Sequence, residues 1–288
     1  MTEHISTTIR RFARSSTHTS TADLPSPIQT VVDDALSPLD RSLPVALCTV
    51  AGECSAVADA HGLTADAARL EAVLEPVREA VRFLEGYVRL RLAGSTTDRD
   101  TAVLASDYLH ARAYAAVADS PIPDDRLVDC YRLLTRGSTA LARRSYSELE
   151  TESAVSPRVD AEATSAGVAG ALGVAAVGGT TETRRCLRRY SYAVMSALAA
   201  QSSAATDDFH PRATAVNVLS GRPATRTRVV EERAPVEHAD STVATALERA
   251  RDALESLAVD DADGRPLDGA SSPLVRLERA TRLPFQIG

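Results

Sequence analysis

The sequence predicts an all-α protein, a large helix bundle in one domain. Three observations carry this. Apolar residues make up 44% of the chain while aromatics make up only 4%, with no Trp. The core must therefore be built from Ala, Val and Leu, and Ala and Leu lose little side-chain entropy on a helix. Apolar residues also recur at spacings of three and four over most of the length. No long run alternates Val, Ile, Thr and aromatics with polar residues, as a half-buried strand would.

The elements follow in order. Residues 1–24 are rich in Ser, Thr and Arg, lack the apolar stretch of a secretory signal, and read as a flexible segment. Residues 25–288 read as a single helical domain. A short helix is expected from Ile28 to Leu36, and a buried one from Leu43 to Ala60. Leu70, Leu74, Val77, Val81, Leu84 and Val88 mark one face of a long helix. Pro76 lies inside it and predicts a kink or two consecutive helices. Thr97 and Asp100 suggest a capping box ahead of a helix whose apolar stripe is Leu104, Tyr108, Ala111, Ala115 and Ala118. Leu127, Tyr131, Leu134, Ser138 and Leu141 trace the next. An Ala/Gly-rich helix is expected from Arg158 to Val177, ended by Gly178-Gly179, and another from Glu182 to Thr206. Residues 207–240 read as a long loop or an interrupted helix. Leu247, Ala250, Leu254 and Leu257 mark an amphipathic helix, and a last short one follows Leu274.

Composition limits the chemistry. All 32 basic residues are Arg. No Schiff-base lysine, P-loop lysine or Ser–Lys pair is therefore available. A net charge of −7 argues against general nucleic-acid binding. The four cysteines lack metal-site spacing and read as buried thiols in a reducing, cytoplasmic setting. No stretch reaches the length of a transmembrane segment. His110 reads as a surface or packing histidine, and no Ser has a nucleophile-elbow context.

Three segments resemble the trans-prenyl diphosphate synthase (polyprenyl synthetase) family. Ala102 to Ala113, Ala-Val-Leu-Ala-Ser-Asp-Tyr-Leu-His-Ala-Arg-Ala, is similar to A-x-L-A-G-D-Y-L-x-A-x-A. Arg41-Ser42-Leu43-Pro44-Val45-Ala46-Leu47 resembles R-L-R-P-x-L-x-L. Leu172 to Gly178, followed by Leu187-Arg188-Arg189-Tyr190, resembles L-G-A-x-x-A-G and L-R-x-Y-G. The resemblance implies the isoprenoid synthase fold, usually dimeric, with a central cavity. It also implies two Asp-rich motifs on facing helices that hold Mg²⁺ against a diphosphate.

This chain departs from both motifs. The first falls on Glu85-Gly86-Tyr87-Val88-Arg89, with one carboxylate and a cation at its end. The second falls near Ser202 to Thr206 and has none, although Asp207 and Asp208 lie just beyond. The expectation is a divergent member without its own catalysis and without a cofactor. It would act as a non-catalytic partner of an active prenyl synthase, as a homodimer or heterodimer, or as an isoprenoid binder. Small residues Ala166, Gly167, Gly170 and Ala171 would leave room for a chain. Glu85, Arg89, Asp107, Tyr108 and Arg112 are the candidate cavity residues, with Asp207 and Asp208 as alternatives. Two other readings stand beside it: a divergent active enzyme that uses Mg²⁺, and a structural helical interaction protein unrelated to isoprenoids.

Overall fold

A computed structural model describes residues 21–58, 67–92, 98–147, 157–204, 211–222, 239–260, 272–282 and 285. Among them are ten α-helices and no strand. These are α1 (Ser26–Ala35), α2 (Leu43–Ala58), α3 (Ala67–Leu92), α4 (Arg99–Ala118) and α5 (Asp124–Ser147), followed by α6 (Pro157–Val177), α7 (Thr181–Ala204), α8 (Pro211–Leu219), α9 (Ala239–Asp260) and α10 (Pro273–Ala280). The predicted flexible segment lies almost wholly outside the described residues.

Helix α6 is the hub and packs against α2, α3, α5 and α7. It does so because its surface is almost bare. Gly173 lies against α2, where an added Cβ would stand 2.1 Å from the Cys48 carbonyl oxygen. Gly170 lies against α7, where a Cβ would meet Ser191 Oγ. Close approach of this kind needs residues without side-chain bulk. Helices α2 and α6 then serve as a shared wall. On one side, α1, α3, α4 and α5 bury a core that includes Leu74, Val81, Leu84, Leu109 and Leu134. On the other, α7, α8, α9 and α10 bury Leu43, Leu47, Leu187, Tyr190, Leu254 and Leu277.

The helix ends have identifiable caps. Ser42 precedes α2, and its hydroxyl accepts from the Val45 N–H at 3.2 Å. Pro44 sits in the first turn, where no helical N–H bond is lost. After α6, Gly178 takes φ +86°, and the Gly179 N–H reaches back to the Val174 carbonyl at 3.0 Å, an ending that favours glycine. Thr180 caps α7 by accepting from the Thr183 N–H at 3.0 Å. The C-terminal helix α10 is tied down by side chains. The Tyr190 hydroxyl donates to the Leu277 carbonyl at 2.7 Å, Arg276 donates to the Leu219 carbonyl at 2.8 Å, and Arg276 also pairs with Glu53 of α2.

Three expectations change. Helix α3 runs unbroken through Pro76, so it is not two helices. Val73, Leu74, Val77, Ala80 and Val81 are all buried around the proline, and their packing outweighs the lost backbone bond, a cost of about 3 kcal/mol. The cap of α4 is Asp98 rather than Thr97: its carboxylate accepts from the Thr101 N–H at 3.2 Å. The buried stripe of α4 is Ala105, Leu109, Ala113 and Ala116, whereas Leu104 is 54% exposed. Within residues 207–240, expected as a long loop or an interrupted helix, the described residues hold a helix, α8, started by Pro211 and followed by Gly221 with φ +68°. Among the described residues, no helix is long and apolar enough to cross a membrane.

Candidate functional site

The region that the first Asp-rich motif would occupy is built from α3, the end of α1 and the start of α2. Glu85 projects from α3 with its side chain 14% exposed. The Ser42 hydroxyl donates to its Oε2 at 2.5 Å, and the Arg89 guanidinium donates to its Oε1 at 3.2 Å. Arg89, one turn along the same face, also donates to the Ala35 carbonyl at 2.8 Å and to Ser37 Oγ at 2.6 Å. A cation at the last carbonyls of α1 opposes the negative end of that helix. The pair is therefore an internal clamp joining three elements.

Position 86 adds a steric statement. A Cβ on Gly86 would stand 3.1 Å from Leu109 and 3.4 Å from the Ala35 carbonyl oxygen. The glycine lets α1 and α4 close on α3. A second carboxylate here would have to push them apart.

Mg²⁺ requires several carboxylate or carbonyl oxygens facing one point. The residues of the first motif do not fit it. Glu85 is the single carboxylate of its motif, both of its oxygens are engaged, and a guanidinium occupies the place of the last acid. Among the described residues no three His, Cys, Asp or Glu side chains gather as metal ligands. Asp207 and Asp208 lie outside the described residues, as do Ala205 and Thr206 of the second motif.

The structure does not bring the other candidates to Glu85. Asp107 is on the exposed face of α4. Tyr108 is half-buried against α1, and its hydroxyl is pushed above the ordinary tyrosine range mainly by burial, with Arg112 acting the other way. Arg112 stacks over the Phe83 ring at 5.4 Å, a cation–π contact. His110 behaves as the packing residue expected: its ring stacks on Tyr87 with centroids 5.0 Å apart, meets Tyr114 edge-on, and bonds Ser138 Oγ through Nε2 at 2.8 Å. Burial holds its pKa below the ordinary 6.5.

The small residues of α6 serve mainly in helix contact, and Gly167 also borders open space. Ala166 and Ala171 are completely buried, and Gly167 and Gly170 press against α7. One buried polar atom was not anticipated from sequence: Gln201 Oε1, near the end of α7, finds no hydrogen-bond partner among the described residues. A single Gln in an Ala/Ser-rich stretch carries no spacing signal.

An open groove of about 600 Å³ lies elsewhere, over α6, between α5 on one side and α7 and α9 on the other. No residue of α1 to α4 lines it. Sequence reasoning missed it because its arginines come from three distant segments.

The geometry defines the class first: an isoprenoid-synthase-type helix bundle. Two solved structures are similar over nearly their full length. One is a mint deletion mutant of heterotetrameric geranyl pyrophosphate synthase in complex with ligands, with a TM-score of 0.52 at 11% identity, covering 98% of this chain and 99% of that one. The other is the geranylgeranyl pyrophosphate synthetase of the archaeon Geoglobus acetivorans, with a TM-score of 0.52 at 14% identity and 96% of each chain covered. At these identities the likeness is one of fold. No family model and no curated protein matches the sequence.

Proposed function

We propose that this chain is a prenyl-synthase-like protein of isoprenoid biosynthesis without catalysis of its own, and that it serves an active prenyl diphosphate synthase as a non-catalytic partner. The observation that carries this is the clamp at Glu85. The one remaining carboxylate of the first motif is spent on Ser42 and Arg89, and Arg89 holds α1 to α3. A position that would bind metal in a working synthase has become a structural joint. The heterotetrameric geranyl pyrophosphate synthase among the fold relatives supports the partner role, since it places this fold in a hetero-assembly. The isoprenoid-binding version draws less support, because among the described residues no apolar cavity beside Glu85 supports it as the clamp supports the partner reading.

The test has two arms. Purified protein given Mg²⁺, isopentenyl diphosphate and an allylic diphosphate is expected to form no product. Affinity purification from the native host is expected to recover a synthase with intact Asp-rich motifs. Turnover that Asp107→Ala or Asp208→Ala abolishes would overturn the non-catalytic reading. Recovery of this chain alone would overturn the partner reading.

A further inference from the structure

The charged side chains lining the groove over α6 are mainly cations, above an apolar floor. Helices α5 and α7 both pack along α6, which leaves a valley above its Gly167 and Val168. Arg184 of α7 bonds Asp129 of α5 at 3.0 Å, one helical turn before Arg188 and Leu133 of the lining. Further along, four guanidinium side chains line the walls: Arg136 from α5, Arg188 and Arg189 from α7, and Arg249 from α9. Asp252 is the one carboxylate in the lining among the described residues.

What distinguishes these arginines is that four of them line one concave space. On a chain of net charge −7, nine other arginines each stand within salt-bridge distance of a carboxylate. None of the four groove arginines does so among the described residues. Glu182, which acts electrostatically on Arg189, has its carboxylate taken by Arg185. Like charges gathered in a concave place are unfavourable unless an anion is drawn in, and low-dielectric walls concentrate their field. The floor is apolar, with Leu133, Val168, Ala193 and Ala253. The volume is that of a small-molecule site rather than of a protein interface.

We propose that this groove binds a phosphate-bearing organic molecule carrying two or more negative charges, with its phosphate held by the guanidinium forks and its carbon body on the apolar floor. Guanidinium groups pair with phosphate oxygens two at a time. Four cations against one acid match a doubly charged group or a diphosphate. The site is on the side of α6 away from Glu85 and does not rest on the isoprenoid reading.

Titration calorimetry of the full chain tests this with inorganic phosphate, inorganic pyrophosphate and phenyl phosphate, at constant ionic strength. Phenyl phosphate is expected to bind more tightly than inorganic phosphate because it also covers the floor, and pyrophosphate more tightly than phosphate because it carries more charge. The double variant Arg188→Gln/Arg189→Gln is expected to bind at least about tenfold more weakly, two charge-assisted contacts being lost. Both residues are exposed, so unchanged circular dichroism is expected. Equal binding by the variant, or no saturable heat with any of the three phosphates, would overturn the proposal. So would a poly-glutamate peptide that binds this groove when none of the three phosphates does.

Discussion

Gly173 of α6 and Cys48 of α2 meet backbone to backbone: a Cβ on the glycine would lie 2.1 Å from the cysteine carbonyl oxygen. The obstruction is main chain and cannot rotate away. Gly173→Ala is therefore expected to separate α2 from α6 and cost about 3 kcal/mol or more, since overpacking alone costs about 1–3. Gly52→Ala at the same crossing first meets the end of the Leu74 side chain, at 2.7 Å, which can turn. Urea unfolding should rank Gly173→Ala well below Gly52→Ala in stability. The reverse order would contradict this account of the hub.

The Arg89 clamp predicts a local effect. Arg89→Ala removes donors to the Ala35 carbonyl, Ser37 and Glu85 together. A loss of about 1.5–3 kcal/mol is expected for charge-assisted bonds of this kind. Hydrogen exchange should quicken first in α1. The melting temperature of the wild-type protein should not respond to millimolar Mg²⁺ beyond the response to matched NaCl.

His110 is the one histidine among the described residues, and burial holds its folded pKa below the unfolded value near 6.5. The unfolded chain therefore takes up the proton first as pH falls. The contribution of neutral His110 is complete above pH 6.5 and is lost as pH drops through that value toward the folded pKa. Stability measured from pH 7.5 down to pH 5.5 should decline, and His110→Gln should flatten this part of the curve.

Tyr190 is completely buried and bonds the Leu277 carbonyl. Tyr190→Phe leaves that acceptor without its donor, with a cost of about 1–3 kcal/mol. Limited proteolysis should then cut near α10 sooner than in the wild type.

Burial pushes the Cys48 and Cys130 thiols up to about 12. At pH 8 a thiol with such a pKa is ionised about one part in ten thousand, and the thiolate is the reactive form. Neither should be labelled by a maleimide in the native state, and both should be labelled on unfolding.

Much of the fold is legible in the sequence where side chains differ enough to define a face. Leu74, Val77, Val81, Leu84 and Val88 give the buried side of α3 directly, and all are buried. The face of α4 is misread by one position because nearly every residue near the stripe is Ala, which serves equally well inside and outside. Leu104 drew the stripe toward itself, yet it is exposed, and Ala105 and Leu109 take the core side. At the candidate site, the missing carboxylates are plain in Glu85-Gly86-Tyr87-Val88-Arg89. The use of Arg89 is not, because its partners Ala35 and Ser37 lie over 50 positions earlier. The groove arginines have the same difficulty, being joined only by the fold.

The anchoring of α10 bears on the birth of the molecule. Glu53 finds its partner Arg276 a full 223 residues later, and Leu277 completes the cover over Leu43 and Leu47. During synthesis, α2 emerges early with one greasy flank that nothing yet made can cover. Contacts so distant along the chain are slow to form, and uncovered apolar surface invites aggregation. A truncation before Pro273 removes Arg276 and Leu277 together and is expected to yield aggregate rather than a smaller folded protein.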